Sequence, residues 1–214
     1  MSRAERFEMQ IPLALTDVEV FCKAIKAIHP EKKSLTPQEL MTGMSALESW
    51  HKITSDSIFH KILKESDLLK DQENKAELSK NALLLWGIVL CGGKSLVKVK
   101  AFYDVLQDNN QERISAEDKD FPGNFTLMID LATFLVNHYE AEFSGKETER
   151  SIEFVAKLDS IREKIAEEDF LDKVFDENSN LTRAEWEKQV IAQVKWIFDS
   201  SKLRAHIYGK VEKL

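Results

Sequence analysis

The chain has 214 residues and a mass of 24.6 kDa, enough for one large domain or two small lobes. Hydrophobic residues make up 43% and charged residues 31%, which argues against disorder and against a fibrous chain, and the low counts of Gly (7) and Pro (4) favour helices. The net charge of −7 disfavours a nucleic-acid partner, and two cysteines are too few for a disulfide framework or a zinc knuckle.

The sequence predicts no membrane span. Its longest apolar run, residues 82–91, has about half the length that a span needs. The first ten residues are charged throughout, and no cleavable signal follows them. Because the few cysteines also suit a reducing compartment, we expect a soluble protein of the cytoplasm.

The first predicted helices are marked by capping residues and by apolar residues at steps of three and four. Thr16 or Asp17 caps the first, and Thr36 caps the second, which has Pro37 at its first position. The helices predicted in this half are 16–29, 36–47, 55–70 and 82–91, the last of them apolar all round, buried, and ended by Gly92 and Gly93.

The second half of the chain continues the same pattern. Pro122 and Gly123 are expected to break whatever begins at Ser115. The helices predicted here are 95–107, about 125–142, a surface helix within 144–168, one that begins at 183, and a short last one at 203–214.

A repeated pattern occurs at four places in the chain. Each time an aliphatic residue is followed directly by a Ser or Thr that can cap the next helix, as in Leu35-Thr36, Leu78-Ser79, Ile114-Ser115 and Leu181-Thr182. Three of the four continue with an acid three residues after the cap, and these acids are Glu39, Asp118 and Glu185.

This pattern resembles the EF-hand, a helix, a 12-residue loop and a helix. In that family loop position 8 is the aliphatic residue that pairs with a neighbouring loop, and position 12 is an acid in the exiting helix. Counting from position 8 gives the loops 28–39, 71–82, 107–118 and 174–185, so the resemblance spans residues 16–198.

The resemblance implies an all-α, two-lobed protein with a calmodulin-like or neuronal-calcium-sensor-like arrangement. The lobes would be residues 1–94 and residues 95–214, the second with an insertion between its hands and an extra C-terminal helix. Position 8 would pair Leu35 with Leu78 and Ile114 with Leu181. The alternative to the EF-hand is an unrelated helical bundle, in which capping boxes occur without common ancestry with that family.

Neither of the first two loops has the full set of oxygen ligands that calcium needs at positions 1, 3, 5 and 12, although the second has Asp71 and Glu73 at positions 1 and 3. The first loop has Pro30 and Lys32 at positions 3 and 5, which leaves Glu39 as a helix cap alone. The second has Lys75 at position 5 and Ala82 at position 12. Neither loop is predicted to coordinate calcium.

The last two loops come closer to a calcium ligand set. The third has Gln107, Asn109, Gln111 and Asp118, of which only one is charged. The fourth has Asp176, Asn178 and Glu185 at positions 3, 5 and 12, but Val174 stands at position 1. We therefore expect structural loops and no metal or other cofactor, and a calcium sensor that uses the fourth loop is the alternative.

Two further sequence fragments do not indicate a site. Residues 92–95 end like a phosphate-binding loop, but the first glycine of that motif is misplaced and no strand precedes it. His138 and Glu142 could share one helix face, yet no third metal ligand has a recognisable spacing. Neither Cys22 nor Cys91 lies in a nucleophile motif, so the sequence predicts no enzyme.

The expected function is therefore binding. Paired EF-hands form a hydrophobic cleft that accepts an amphipathic helix of another protein, and we expect a partner to bind along an edge formed by Leu85, Trp86 and Val89. The C-terminal segment 202–214, with Leu203, Ile207 and Val211 at steps of four, could occupy such a cleft itself. The prediction is a calcium-independent interaction or scaffolding subunit, with a helical-bundle enzyme or ligand carrier as the second alternative.

Overall fold

The structure is a computed structural model that describes residues 1–107, 112–118, 120–146 and 152–213, and it is mostly helical, as predicted. Asn109 and Gln111 of the third loop, and Leu214, lie outside the described residues. The α-helices are α1 (Arg3–Glu8), α2 (Val18–Ala27), α3 (Pro37–Gly43), α4 (Ile58–Glu65), α5 (Lys80–Leu90), α6 (Ser95–Leu106), α7 (Asp120–Ala132), α8 (Phe134–Ser144), α9 (Ile152–Ile165), α10 (Asp172–Phe175), α11 (Arg183–Gln193) and α12 (Ser200–Val211).

Four short strands join the predicted loops in pairs. They are β1 (Ser34–Leu35), β2 (Leu78–Ser79), β3 (Arg113–Ser115) and β4 (Asn180–Thr182). In two antiparallel pairs Leu35 lies opposite Leu78 and Ile114 lies opposite Leu181. All four side chains are buried. The pairing predicted for loop position 8 is therefore confirmed in both pairs.

The helices that leave the first and fourth loops begin at the predicted caps. The backbone N–H of Thr36 donates to a Glu39 carboxylate oxygen at 2.8 Å, and the N–H of Glu39 donates back to the Thr36 hydroxyl at 3.1 Å. Thr182 and Glu185 form the same reciprocal pair at the start of α11. These caps satisfy N–H groups that have no partner within the helix.

Three features differ from the sequence-based expectation. The helix predicted over 125–142 is divided into α7 and α8 at Thr133, which is fully buried and whose hydroxyl donates to the Ile129 carbonyl at 2.7 Å. Pro122 and Gly123 lie in the first turn of α7, where a missing N–H costs no helix hydrogen bond. Helix α1, which begins with a capping box at Ser2, was not predicted.

The core runs through both halves of the chain without interruption. One aromatic cluster joins Phe21, Trp50, Phe59 and Trp86 in the first half. A second surrounds Phe102, Phe121, Phe170 and Trp186. Helix α5 packs on α2 from its own half and on α6 and α7 from the other. Buried residues of the two predicted lobes, 1–94 and 95–214, therefore belong to one hydrophobic core.

Among the residues that the structure describes, no helix is both long enough and apolar enough to cross a membrane.

Candidate functional site

The first loop carries its own positive charge near the position-12 acid. The ammonium of Lys32, at position 5, donates to the Glu39 carboxylate at 2.6 Å. This bond and the N–H of Thr36 lower the pKa of Glu39 to about 2. His29 lies 3.4 Å from the same carboxylate. Where a calcium loop would present a free acid to the ion, this loop presents an acid that is already paired.

A second lysine reaches the start of the same loop from the partner loop. Lys80 begins α5, and its ammonium donates to the backbone carbonyls of Ile28, at 2.5 Å, and His29, at 2.6 Å. These carbonyls are at the C-terminus of α2, where a cation is favoured by the helix dipole. Lys80 is only 9% exposed, and this burial lowers the pKa of its ammonium group. Lys80 therefore ties the two loops together.

The acidic side chain that opens the second loop is occupied by the loop's own backbone. One Asp71 oxygen accepts hydrogen bonds from the N–H groups of Glu73, at 3.0 Å, and Asn74, at 2.9 Å. The Glu77 carboxylate, directly before β2, accepts a hydrogen bond from the Ser34 hydroxyl of the first loop. Ala82, at position 12, is buried. These contacts stabilise the turn and leave position 12 without an oxygen ligand.

The fourth loop also uses its position-12 acid as a cap. Glu185 accepts from the backbone N–H of Thr182 at 2.8 Å and from its hydroxyl at 2.7 Å. These bonds lower the pKa of Glu185, and the charge of nearby Arg113 adds to the effect. Val174, at position 1, is fully buried, and Asp176 has a positive φ of 49°.

These donor sets do not fit a calcium ion in the first two loops. The first loop places ammonium groups among its acceptors, and the second lacks the bidentate acid. Among the described residues no group of three or more His, Cys, Asp or Glu side chains could hold a metal ion. Asn109 and Gln111 of the third loop lie outside the described residues.

The predicted partner edge on α5 is buried in this structure. Leu85 and Trp86 are fully buried, and Val89 is 2% exposed. The Trp86 ring stacks on Phe59 with 5.8 Å between ring centres. An all-apolar helix must be covered on every side, and here α2, α6 and α7 of the same chain supply the cover. These three residues belong to the core and do not form a groove.

The C-terminal helix α12 lies against the rest of the protein. Leu203, Ile207 and Val211 of α12 are all buried, and the helix packs on α7 and α9. The Tyr208 ring meets Phe154 edge-on with 5.1 Å between centres. We call the surface of α1, α7, α8, α9 and residues 166–171 that receives this helix the α12 site.

Two buried carboxylates in the α12 site hold basic side chains of α12. Glu8 of α1 binds the Arg204 guanidinium through both of its oxygens, one of them at 2.9 Å from Nη2. Asp169 accepts from His206 at 2.8 Å and from Lys210 at 2.9 Å. Burial alone would raise the pKa of Asp169, but these two hydrogen bonds outweigh it and hold the pKa below its ordinary value.

A π-helical segment brings Asp169 to this position. Residues Ala166–Leu171 form π-helix between α9 and α10. Asp169 within it is only 5% exposed. Local segments of π-helix are rare and often occur at functional sites. The charged surface pattern of residues 144–168 gave no indication of a π-helical segment. The sequence also did not single out Glu8 or Asp169, because the burial of an acid depends on distant neighbours.

The two weaker sequence fragments are not assembled into sites. Residues 91–94 connect α5 to α6, so a helix and not a strand precedes the glycines. Helix α5 ends at its C-cap Cys91, and Gly93, two residues later, has a φ of 138°, a conformation that favours glycine. Glu142 contacts Lys61 of α4, and His138 packs against Tyr139. The Cys22 and Cys91 thiols are free and buried, and burial raises the pKa of both.

Comparison of the chain with protein-family models, with curated proteins and with solved structures finds no match in any of the three.

Proposed function

We propose that this protein is a calcium-independent interaction or scaffolding subunit of EF-hand-like architecture, which acts in the cytoplasm by binding an amphipathic helix of a partner protein. Its role is binding, not catalysis. The observation that carries the proposal is the charge arrangement in the first loop pair. Lys32 at position 5 pairs with Glu39 at position 12, so a protein cation takes the acid that the family offers to calcium, and Lys80 holds the carbonyls of Ile28 and His29 at the start of the same loop.

This arrangement supports a permanent conformation. A calcium sensor changes the angle between its helices when an ion binds, because the ion draws the position-12 acid into the loop. In this chain Glu39 and Glu185 are already committed to their caps and Glu39 to Lys32. A loop pair whose acids are satisfied by the protein has no need of the ion.

The α12 site supports the helical nature of the partner. The fold already receives one amphipathic helix, with Leu203, Ile207 and Val211 buried. Apolar burial supplies most of the energy when a helix binds in a groove, and a stripe at steps of four is the pattern that such grooves recognise.

Calorimetric titration with calcium tests the calcium-independent part. We expect no binding heat at micromolar calcium for the wild type or for Glu185→Gln. A heat that Glu185→Gln removes would favour the calcium sensor that uses the fourth loop.

Affinity capture tests the binding part. The protein is used as bait with chelator and again with millimolar calcium, and a captured protein is mapped to a segment that is synthesised as a peptide. We expect that peptide to be helical when bound and to bind with equal affinity under both conditions. Affinity that appears only with calcium, or a partner segment that binds in an extended form, would contradict the proposal.

A further inference from the structure

Helix α12 is basic as well as amphipathic. Between Ser200 and Val211 it contains Lys202, Arg204 and Lys210 and no acidic residue, whereas the whole chain has a net charge of −7. Its apolar stripe and its basic side chains are used together, since Leu203 and Ile207 are buried beside the ion pair of Arg204. The helix is therefore complementary to its site in both shape and charge.

The carboxylates of the α12 site depend on those cations. Glu8 and Asp169 are each only 5% exposed. Ser200 also donates to Glu8, at 3.1 Å, and Lys173 lies 3.6 Å from Asp169. If α12 left, Glu8 would lose the bidentate guanidinium, and the ion pair that Asp169 keeps among the described residues would be the more distant one with Lys173. A buried carboxylate without its partner is strongly unfavourable.

Any helix that replaces α12 must therefore bring positive charge. An apolar helix would cover the floor of the site but would leave Glu8 and Asp169 desolvated and unpaired. A guanidinium suits Glu8 in particular, since both of its oxygens are bound in the fork geometry that Arg offers and Lys does not.

We propose that the α12 site is the partner-binding site, that its ligand is a basic amphipathic helix of another protein, and that α12 is its resident occupant, which the partner displaces. This inference rests on the proposed function, because it names the site and the chemistry of the helical partner. The partner helix carries an aliphatic stripe at steps of four, an Arg next to the first stripe residue for Glu8, and a cation for Asp169.

The occupant sets the apparent affinity. A ligand that competes with α12 binds only the fraction of molecules in which the site is open, so its apparent affinity falls by that fraction. Replacing His206 and Lys210 removes the hydrogen bonds of α12 to Asp169 and leaves its apolar stripe unchanged, so it weakens the binding of α12 to the site. A helix that carries both cations would then have an advantage over the altered α12.

The test uses the full chain and one defined probe. The probe is a fluorescein-labelled peptide with the sequence of residues 199–213, measured by fluorescence anisotropy against the wild type, the double variant His206→Ala/Lys210→Ala and the control Lys202→Ala. Lys202 lies on the same helix, but its side chain is 68% exposed and it reaches only Asp199, at 3.5 Å. We expect the double variant to bind the peptide at least about tenfold more tightly than the wild type, and the control to behave as the wild type.

Two altered peptides check the chemistry of recognition. Replacing the residues that correspond to Leu203, Ile207 and Val211 by Ser should abolish binding, because the apolar contact is lost. Replacing the residue that corresponds to Arg204 by Glu should weaken binding by about a hundredfold or more, since it places a second carboxylate beside Glu8. Equal binding of either altered peptide would overturn the proposed ligand class.

Hydrogen exchange shows whether the double variant remains folded. We expect faster exchange in residues 200–211 and unchanged protection in α5 and α7. Unchanged exchange in 200–211, or faster exchange there without peptide binding, would overturn the proposal. A concentration-dependent dimer of the double variant that the peptide does not dissociate would assign the site to a second copy of the chain and would overturn the partner assignment.

The outcomes separate this inference from the proposed function. One outcome is a captured partner segment that binds the wild type and the double variant equally and resists displacement by the 199–213 peptide. This result would reject the α12 site as the partner-binding site, while the proposed function would still hold. Tight peptide binding by the double variant, together with partner binding that requires calcium, would support the α12 site and contradict the calcium-independent function.

Discussion

The ammonium group of Lys80 donates a hydrogen bond of 2.6 Å to the backbone carbonyl oxygen of His29, 51 residues earlier in the chain. The first residue of α5 thereby holds the carbonyls of Ile28 and His29, which directly follow α2, the helix that enters the neighbouring loop. The β1–β2 pair aligns the two loops so that this contact can form, since Lys80 directly follows β2. The contact joins the two loops by a charge that belongs to the protein.

Replacing Lys80 by Met is expected to destabilise the protein by about 2–3 kcal/mol, because part-buried hydrogen bonds from a charged group to two backbone carbonyls are lost. Urea unfolding measures the change in the free energy of unfolding. Lys75→Met is the control, since Lys75 is exposed and reaches only Gln72, at 2.9 Å. Recovery of the lost stability by added calcium would contradict a structural role for the ammonium.

Replacing Lys32 by Met is expected to raise the pKa of Glu39 from about 2 toward its ordinary value of 4.5. The first cause of the low pKa, the hydrogen bond from Lys32, is removed, while the N–H of Thr36 remains. Carboxyl chemical shifts followed by NMR during a pH titration report this pKa. Lys23→Met, which removes the exposed partner of Glu19, is the control and should leave Glu39 unchanged. A Glu39 pKa that stays near 2 in Lys32→Met would show that the helix cap alone determines it.

Asp130 should make the protein less stable as the pH rises. Burial raises its pKa from 3.8 to about 6, even though Arg162 donates to it at 2.7 Å. Because the folded pKa is above the unfolded one, the stability contributed by the protonated acid is complete below pH 3.8 and is lost as the pH rises through 6.

The variant Asp130→Asn should abolish this part of the pH dependence. A shift of this size corresponds to at most about 3 kcal/mol between the two ends of the range. Urea unfolding at several pH values between about 4 and 7 measures it. Asp159→Asn, which removes the exposed second partner of Arg162, is the control. The same pH dependence in wild type and Asp130→Asn would show that another group titrates.

Substituting Gly87 by Ala is expected to cost about 1–3 kcal/mol, since added volume in a packed core forces neighbours to move. A Cβ at this position would lie 2.2 Å from a ring carbon of Phe21, where α2 and α5 meet. Gly209→Ala in α12 is the matched control. Nothing lies within 4 Å of its Cβ position, so the helix should gain up to about 1 kcal/mol. Thermal unfolding of the two variants should shift the midpoint in opposite directions, and equal shifts would refute the close approach at Gly87.

The local features of this fold could be predicted from the sequence because they depend on neighbours within a few residues. Thr36 with Glu39, and Thr182 with Glu185, form their caps through hydrogen bonds three residues apart. The pairing of Leu35 with Leu78, and of Ile114 with Leu181, was predicted from the resemblance of the loops to the EF-hand, in which position 8 pairs with a neighbouring loop. That register follows from the shared pattern of the loops and needs no knowledge of the core.

The burial of individual groups was decided by the tertiary structure. The apolar circumference of α5 indicated that something must cover Trp86, but sequence alone could not distinguish a partner from helices of the same chain. The break at Thr133 escaped prediction for a similar reason, since the apolar period continues through it and the packing of α7 and α8 determines where the helix is interrupted.

The candidate site shows the same division. The apolar stripe of α12 follows from residues spaced four apart in one short segment, so it could be predicted from the sequence. Its acidic counterparts, Glu8 and Asp169, lie 196 and 41 residues from Arg204 and Lys210, respectively. An acid is normally exposed, and only the approach of a distant cation makes its burial favourable. The sequence by itself therefore determined the helix that fills the site, and the tertiary structure alone determined the charges that hold it there.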